Sequence, residues 1–242
     1  MTTDKIITAN MTTTTEQSAN EQNAHSNDSH SNSQNKLMLS VDKLSIVTDA
    51  GMVLVDKLSY ELRQGQTLAI VGESGSGKSI ASLALLGLLP DSLTVSGEVQ
   101  LANAKDMSAL PITNDKGRNV ALRSIRGQRI GMVFQEPMTA LNPLHTVGKQ
   151  IAESLRISGA PKKQWREKSI ALLNDVNIND PADKLNRFPH ELSGGQRQRV
   201  MIAMALAQQP DVLIADEPTT ALDVTLQHEI LELLDNLKRQ HN

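Results

Sequence analysis

The chain has 242 residues and is 39% hydrophobic, which is enough to build a buried core in one or two domains. A net charge of -3 argues against a general nucleic-acid binder, and the absence of cysteine excludes disulfides and thiolate metal sites. The longest apolar run is too short and too interrupted to span a membrane, and no signal peptide is visible. We therefore expect any membrane association to come through a partner.

The amino-terminal stretch differs in composition from the rest of the chain. Residues 1–36 are mostly Thr, Ser, Asn, Gln and His, with few large apolar side chains, which predicts a disordered tail. We expect one folded domain over residues 37–242. It opens with two strand-like segments, Leu37–Val47 and Met52–Leu62, whose apolar and polar residues alternate as in a half-buried antiparallel pair.

A glycine-rich loop follows, between a short apolar strand and an apolar helix. Its sequence GESGSGKS matches G-x-x-x-x-G-K-[ST], and its glycines let several backbone N–H groups point into one concavity at a helix N-terminus. Lys78 would supply a cation to the β and γ phosphates of ATP, and Ser79 a hydroxyl to Mg²⁺. The alternative is a flexible loop that binds nothing. The predicted ATP-binding residues are Gly72, Glu73, Ser74, Gly75, Ser76, Gly77, Lys78 and Ser79.

The middle of the chain changes from strand to helix patterns. The polar residues 103–119 predict a surface loop, and Ile130–Phe134 predicts a buried strand that ends at Gln135. Over residues 137–190 apolar side chains recur at helical spacing with charges between them. We interpret this segment as a helical subdomain inserted between strands of the sheet.

Two adjacent acids end the next apolar strand. Val212–Ala215 is followed by Asp216 and Glu217, and ligands bind to open α/β sheets at the carboxyl ends of their strands. Asp216 would hold Mg²⁺ opposite the phosphate loop, and Glu217 would orient or deprotonate an attacking water. The alternative is a pair of ordinary surface acids.

The motifs GESGSGKS, LSGGQ and LIADEPTTALD, with Gln135 between the first two, resemble the ATP-binding subunit of an ABC transporter. The resemblance covers everything after the tail. It implies an α/β fold, a P-loop NTPase core sheet with an N-terminal antiparallel β segment and an inserted α-helical subdomain. It makes Gln135 the Q-loop glutamine, with a catalytic role and a place beside the metal. Asp216 and Glu217 become the Walker B acids, and Asp223 lies in the D-loop.

The signature LSGGQ forms a second anion site in this interpretation, because its serine and glycines stand before a helix. Its predicted residues are Ser193, Gly194, Gly195 and Gln196. The resemblance implies a head-to-tail dimer, in which each signature closes on the nucleotide held by a second ABC ATPase domain. It also implies transmembrane permease subunits, an indirect extracytoplasmic solute-binding protein, and a peripheral position on the cytoplasmic face of the inner (plasma) membrane.

The stretch FQEPMTALNPLHT narrows the resemblance to oligopeptide, dipeptide and nickel importer ATPases. LNPLHT most resembles peptide importers whose ATPase carries two nucleotide-binding halves, including those for microcin C-like peptides. This implies an ATP-binding and hydrolysing subunit that powers the import of peptides or similar small solutes. Two alternatives stay open: a soluble ABC ATPase that acts on ribosomes or DNA, and an inactive nucleotide-binding fragment.

Two features depart from the family pattern. The aromatic residue on which the family stacks adenine is replaced at about Ile46, which predicts an aliphatic contact with the base. The family's switch histidine follows the strand after the Walker B acids, and the sequence stops at Asn242 before such a strand. We therefore expect a fragment truncated before that histidine. His228 and His241 lie on the last predicted helix and cannot replace it.

Overall fold

A computed structural model describes residues 5–9, 36–102, 107–111, 125–219 and 223–240. The strands, in chain order, are β1 Lys5–Ala9, β2 Leu37–Thr48, β3 Val53–Arg63, β4 Thr67–Ile70, β5 Leu93–Ala102, β6 Met107–Pro111, β7 Ile130–Val133 and β8 Val212–Ala215. The helices are α1 Lys78–Leu85, α2 Pro137–Ala140, α3 Val147–Ile157, α4 Trp165–Asp175, α5 Pro181–Lys184, α6 Gly194–Leu206 and α7 Val224–Gln240. Short 3₁₀ turns at Lys162–Gln164 and Pro189–Glu191 precede α4 and α6.

One sheet is antiparallel, with the strand order β3-β2-β5-β6. Its first two strands form the hairpin that the alternating sequence predicts. The register of β2 against both neighbours shifts after Val41 or Asp42, next to Lys43, whose φ of 48° is left-handed. Such a bulge changes which residues face the core on either side of it.

β6 corrects the prediction of a surface loop over residues 103–119. Met107–Pro111 pairs antiparallel with β5, from Glu98↔Pro111 to Ala102↔Met107. Pro111 ends the strand, where a missing N–H group costs the ladder least. The remaining residues of that predicted loop lie outside the described residues.

The second sheet has the strand order β4-β1-β8-β7 and carries the motifs. β7 and β8 are parallel, with Ile130 opposite Val212 and Val133 opposite Ala215. β1 lies between β4 and β8 and is antiparallel to both. The predicted disordered tail thus contains a strand at Lys5–Ala9, and its other residues up to Asn35 lie outside the described part of the chain.

β8 is buried on both faces, as its uninterrupted apolar sequence predicts. Val212 and Ile214 belong to a core shared with the hairpin, β5 and α1. Leu213 and Ala215 belong to a second core shared with the helices from α2 to α7. Because Asp216 follows directly, this double burial fixes the position of the first acid.

The helices α2 to α5 occupy the segment predicted as a helical subdomain. Its core is built from side chains such as Ile151, Leu155, Leu173 and Val176, all of them buried. Thr146 caps α3 by accepting a hydrogen bond from the Lys149 N–H group at 3.3 Å. Within the described ranges, no helix combines the length and the apolar character needed to cross a membrane.

Candidate functional site

The glycine loop runs from the end of β4 to the start of α1, in the strand–loop–helix order that the sequence predicts. Gly77 immediately precedes α1 and has a φ of 88°, in the left-handed region that favours glycine. A Cβ atom at Gly77 would lie 2.8 Å from the Leu54 carbonyl oxygen and 2.9 Å from Val55 Cγ2. The loop therefore packs directly against β3, and only glycine fits at this position.

Lys78 is turned back over the loop that precedes it. Its Nζ donates hydrogen bonds to the carbonyl oxygens of Gly72 at 2.6 Å and Glu73 at 2.8 Å, and the residue is 8% exposed. These bonds hold a positive charge over the concave side of the loop. An anion bound there would meet both this ammonium and the N-terminus of α1.

The loop and the acidic strand are joined by a direct hydrogen bond. Ser79 Oγ donates to Asp216 Oδ1 at 3.1 Å, and the Asp216 N–H group donates to the Val133 carbonyl oxygen at 2.9 Å. Asp216 is 5% exposed. Two oxygen ligands of the kind that Mg²⁺ prefers are thus held next to each other, one in the first turn of α1 and one directly after β8.

Glu217 and Gln135 also meet at this edge of the sheet. Gln135 Nε2 donates to Glu217 Oε2 at 2.6 Å. Glu217 has a φ of 46°, a conformation that is uncommon outside glycine and that often marks functional sites. The structure therefore brings together Ser79, Gln135, Asp216 and Glu217, the residues to which the sequence assigns metal binding and catalysis.

The glycines of LSGGQ open α6, and this helix is capped by its own side chains. Ser193 Oγ accepts from the Gln196 N–H group at 3.3 Å, and Gln196 Oε1 accepts from the Ser193 N–H group at 3.1 Å. This reciprocal pair is a capping box. Asp223 caps α7 in a similar way, because its Oδ1 accepts from the Leu226 N–H group at 2.9 Å.

Ile46 does not lie where the sequence analysis places it. It is fully buried in the core between the hairpin and α1, opposite Val55, so its side chain presents no surface to an adenine base. The prediction of a contact between Ile46 and the base is therefore corrected. The apolar side chains that the hairpin does expose are Met52, at 62%, and Val53, at 57%.

A groove of about 580 Å³ lies beside the segment that follows Gln135. The groove residues are Pro143, Leu144, Asp183, Asn186, Arg187, Phe188, His190 and Glu191. The Phe188 and His190 rings stack at 5.7 Å, and Leu144 is 81% exposed. The stretch FPHELSGGQRQRVMIAMALA, which contains Phe188 and His190, resembles the importer ATPases as FQEPMTALNPLHT does, but the sequence gives these two side chains no role of their own.

Charged groups close one side of this groove. The Phe188 N–H group donates to Glu191 Oε2 at 2.7 Å, and Arg187 forms ion pairs with Glu191 at 3.1 Å and Asp183 at 3.2 Å. The backbone hydrogen bond from Phe188 and then the Arg187 guanidinium hold the pKa of Glu191 below its usual range. The same two acids raise the pKa of Arg187 further.

Residues 55–220 match the family model described as ABC transporter. The chain belongs to the ABC transporter family. By the resemblance described above, the glycine loop before α1 corresponds to Walker A, the acids after β8 to Walker B, Gln135 to the Q-loop glutamine and LSGGQ to the signature. These names are used below.

Solved structures of ABC proteins have the same fold. CbiO1 from Clostridium perfringens, described as part of the ABC transporter complex cbiONQ, superposes with a TM-score of 0.66 at 27% identity, over 85% of this chain and 75% of that one. The ATP-binding cassette MJ0796, in a dimeric post-hydrolysis state with ADP and Pi, gives a TM-score of 0.61 at 24% identity, over 84% of each chain. The second likeness is evidence for the fold alone.

Curated ABC relatives are more similar in sequence. The dipeptide transport ATP-binding protein DppD of Escherichia coli is 48% identical over 209 residues, which are 85% of this chain and 62% of that protein. The peptidoglycan transport ATP-binding protein YejF of Agrobacterium fabrum is 51% identical over 210 residues, 84% of this chain and 37% of YejF. The chain thus spans between about one third and two thirds of the length of these relatives.

Proposed function

We propose that this chain is the ATP-binding and hydrolysing part of a transport ATPase that powers the import of peptides or similar small solutes. The observation that carries the proposal is the Ser79–Asp216 hydrogen bond of 3.1 Å. It places the end of the phosphate loop against the first of the two acids. A loop that binds nothing has no need of a buried carboxylate at its end, because burying an acid is unfavourable without a compensating partner.

ATP would bind with its phosphates over the Walker A loop. Backbone N–H groups of the loop and the N-terminus of α1 would surround the β phosphate, and Lys78 would exchange its bonds to Gly72 and Glu73 for the phosphate oxygens. Each exchange replaces a neutral acceptor by a negatively charged one, which adds the attraction between opposite charges to the hydrogen bond. Lys78 is therefore pre-positioned for an anion.

The residues at this site fit Mg²⁺ as a cofactor. Ser79 Oγ and Asp216 Oδ1 already lie within hydrogen-bond distance of each other, and the Gln135 side-chain oxygen is a further hard ligand at the same edge. A bound Mg²⁺ would neutralise charge on the β and γ phosphates. Ser79, Asp216 and Gln135 would hold it.

Glu217 is the residue to orient and deprotonate the attacking water. Its carboxylate accepts a hydrogen bond from Gln135 at 2.6 Å, so in this conformation the general base is occupied by the Q-loop amide. A shift of Gln135 towards the metal would release Glu217 towards the γ phosphate. The two side chains would then change partners together, which links the Q-loop conformation to hydrolysis.

Val53 replaces Ile46 as the candidate for the adenine contact. The Walker A loop touches β3 at Leu54 and Val55, and Val53 is the next residue along that strand. Its side chain is 57% exposed, so a base that extends from the loop along the hairpin would cover it. The contact would be aliphatic and without face-to-face stacking.

A second ABC ATPase domain would complete the site in a head-to-tail dimer. Each signature, Ser193 to Gln196, would then close on the γ phosphate held by the other Walker A loop. The MJ0796 cassette is described as a dimer, and the dimer of the present chain is our proposal.

The transported cargo is proposed from the relatives. DppD is named for dipeptide transport, and the glutathione import ATP-binding protein GsiA of Escherichia coli is 45% identical over 208 residues. We propose that the chain lies on the cytoplasmic face of the plasma membrane, where permease subunits hold it. A solute-binding protein outside the membrane would deliver the solute to the permease. The groove beside the Q-loop segment is the place for a cytoplasmic helix of the permease.

Crosslinking to a reconstituted permease tests the transport function. Single cysteines at Thr139, Leu141 and Leu144 are unique because the chain has none of its own. Leu144 is 81% exposed, whereas Leu141 is 3% exposed, so Leu141→Cys serves as the matched buried control. We expect Leu144→Cys and Thr139→Cys to crosslink in a yield that differs between ATP and ADP. Equal yields with an unrelated permease, or crosslinks only through Leu141→Cys, would contradict the transport role.

ATP turnover separates the remaining alternatives. Mg²⁺-dependent hydrolysis by the purified chain would exclude an inactive nucleotide-binding fragment. Co-purification with ribosomes or DNA rather than with permeases would favour a soluble ABC ATPase over a transport subunit.

A further inference from the structure

A buried glutamine near the start of α3 bonds to the turn that precedes this helix. Gln150 is 5% exposed. Its Oε1 accepts a hydrogen bond from the Asn142 N–H group at 2.9 Å. Its Nε2 donates to the carbonyl oxygens of Asn142 at 3.1 Å and of His145 at 3.0 Å. One side-chain amide therefore holds both ends of the turn over residues 142–145.

Helix packing alone does not call for an amide at this position. The other side chains on the buried face of α3 include Val147, Ile151 and Leu155, which are all apolar. An amide buried beside them is unfavourable unless its polar atoms find partners, and the turn supplies a partner for the oxygen and for the nitrogen. The turn that Gln150 holds thus accounts for the glutamine better than the core that it helps to fill.

The turn over residues 142–145 presents one apolar side chain on an anchored backbone. Leu144 is 81% exposed, whereas Leu141, directly before the turn, is 3% exposed. The Leu144 N–H group donates to Asn142 Oδ1 at 2.9 Å, and the His145 N–H group donates to the Asn142 carbonyl oxygen at 3.2 Å. Pro143 restricts the backbone further, because its ring fixes φ. Leu144 is thus exposed on a turn whose backbone is held from several sides.

The start of α3 also joins the two walls of the groove beside the Q-loop segment. The Val147 N–H group donates to the Arg187 carbonyl oxygen at 2.9 Å, and the Gly148 N–H group donates to the Leu185 carbonyl oxygen at 2.8 Å. A Cβ atom at Gly148 would lie 2.8 Å from the same Leu185 oxygen, so a larger residue would push the two segments apart. The wall that carries Leu144 is therefore held against the opposite wall.

We propose that Gln150 is a positioning residue, which holds the turn over residues 142–145 in one shape so that Leu144 meets the permease as a preformed apolar contact. Leu144 lines the groove of about 580 Å³, where a partner segment would cover it. A contact made by a preformed turn loses less conformational freedom on binding than a contact made by a mobile loop. The identity of the partner rests on the proposed function, whereas the hold of Gln150 on the turn is independent of it.

Spin labelling tests the hold on the turn. Leu144→Cys gives a unique attachment site for a nitroxide label, because the chain has no cysteine. Gln150→Met keeps a long unbranched side chain but loses all three hydrogen bonds to the turn. The EPR spectrum of the label at Leu144→Cys should therefore narrow, as it does on a more mobile backbone. Gln150→Leu, which has a different apolar shape, should narrow it as well, and an unchanged spectrum in both variants would overturn the proposal.

Two controls separate this effect from a general loosening of the fold. Gln164→Met makes the same substitution at an exposed glutamine of the 3₁₀ turn before α4, and it should leave the label at Leu144→Cys unchanged. A label at Ile157→Cys, on the exposed last residue of α3, should be unchanged by Gln150→Met. Equal narrowing at both labels would show that α3 itself is lost, and this result would overturn the proposal.

Titration of proteoliposomes tests the role of Gln150 in the partner contact. The proteoliposomes would contain the permease subunits encoded by the neighbouring genes, and ATP turnover would report binding of the chain. The concentration of chain that half-saturates them should rise by about tenfold in Gln150→Met. The KM for ATP should change by less than about twofold, because Gln150 bonds to the turn and not to the nucleotide site.

An unchanged half-saturation in Gln150→Met, with a mobile label at Leu144→Cys, would overturn the positioning role. An unaltered chain that does not bind these proteoliposomes is a different outcome, because it would refute the proposed function and the partner with it. The label spectra would still decide whether Gln150 holds the turn.

Discussion

Two helices, α1 and α6, begin at glycine-containing segments, and they differ in what satisfies their first N–H groups. Gly77 precedes α1 without a side-chain cap hydrogen bond, and Lys78 turns back to the loop carbonyls. Ser193 and Gln196 close α6 with a reciprocal capping box. Walker A is therefore open to an anion, whereas the signature is satisfied by its own side chains and would have to open its cap to bind one. The cost is small, since a cap contributes about 1 kcal/mol.

Loss of Glu217, the proposed catalytic acid, should have the largest effect at the open site. Glu217→Gln keeps the size of the side chain and the contact with Gln135 but removes the base, so hydrolysis should slow by about 10²–10⁴ while ATP binding persists. Steady-state phosphate release in the complete transporter measures the first effect, and fluorescent-ATP titration measures the second. Wild-type turnover in Glu217→Gln would refute the role of this residue.

Loss of the loop cation should weaken binding at the same site. Lys78→Ala removes the ammonium that would exchange its bonds to Gly72 and Glu73 for the phosphate oxygens. A hydrogen bond to a charged group contributes about 1.5–3 kcal/mol, so ATP affinity should fall by about tenfold or more. The exposed lysine of the 3₁₀ turn before α4 gives a matched control, Lys162→Ala, with unchanged affinity. An affinity equal to that of the control would contradict the assignment of Walker A.

At the signature, whose helix is capped by its own side chains, loss of the cap should change the stability of the chain rather than its nucleotide affinity. Ser193→Ala removes the cap of α6 and should lower the free energy of unfolding by about 1 kcal/mol, with ATP affinity of the isolated chain unchanged. Thr146→Ala removes the corresponding cap of α3 and gives the matched control for stability. In a dimer, only Ser193→Ala should also slow ATP turnover. An effect of Ser193→Ala on the affinity of the isolated chain would show that the two helix ends share one nucleotide.

The smallest expected effect is on the pH dependence of stability, and it involves Glu191, just upstream of the signature. The pKa of Glu191 is lowered from an ordinary value of 4.5, so its ionised form stabilises the fold above that pH, and the contribution is lost as pH falls through the lower folded pKa. The difference in melting temperature between the unaltered chain and Glu191→Gln should therefore be largest near pH 7 and shrink towards pH 4. A difference that grows as the pH falls would contradict the ion pair with Arg187.

The comparison also separates what the sequence predicts from what it does not. The strand before Walker A, the loop and β8 follow from local patterns, because apolar runs and glycine spacing act within a few residues. β1 and β6 come from polar stretches and exist through pairing with residues far away in the chain, which composition does not encode. The capping box could be anticipated from Ser193 and Gln196, three residues apart.

Ile46 shows how a bulge can overturn a side-chain position that is inferred from a family resemblance. Leu39 and Val41 face the core, so strict alternation would turn Ile46 outward. The register shift next to Lys43 reverses the faces, and Leu44 and Ile46 turn inward. A comparison of motifs locates a residue along a strand. It does not show on which face of the sheet the side chain lies when a bulge intervenes.

The contact of Gly77 with β3 has a mechanical consequence. The Leu54 carbonyl oxygen would lie 2.8 Å from a Cβ atom at Gly77, so the hairpin acts as a rigid stop behind the phosphate loop. A push on the hairpin, such as a base pressed against Val53, would be transmitted as displacement of the start of α1 rather than absorbed by a compressible gap. The base and the phosphates of one ATP molecule would then act on the same contact, between β3 and the start of α1.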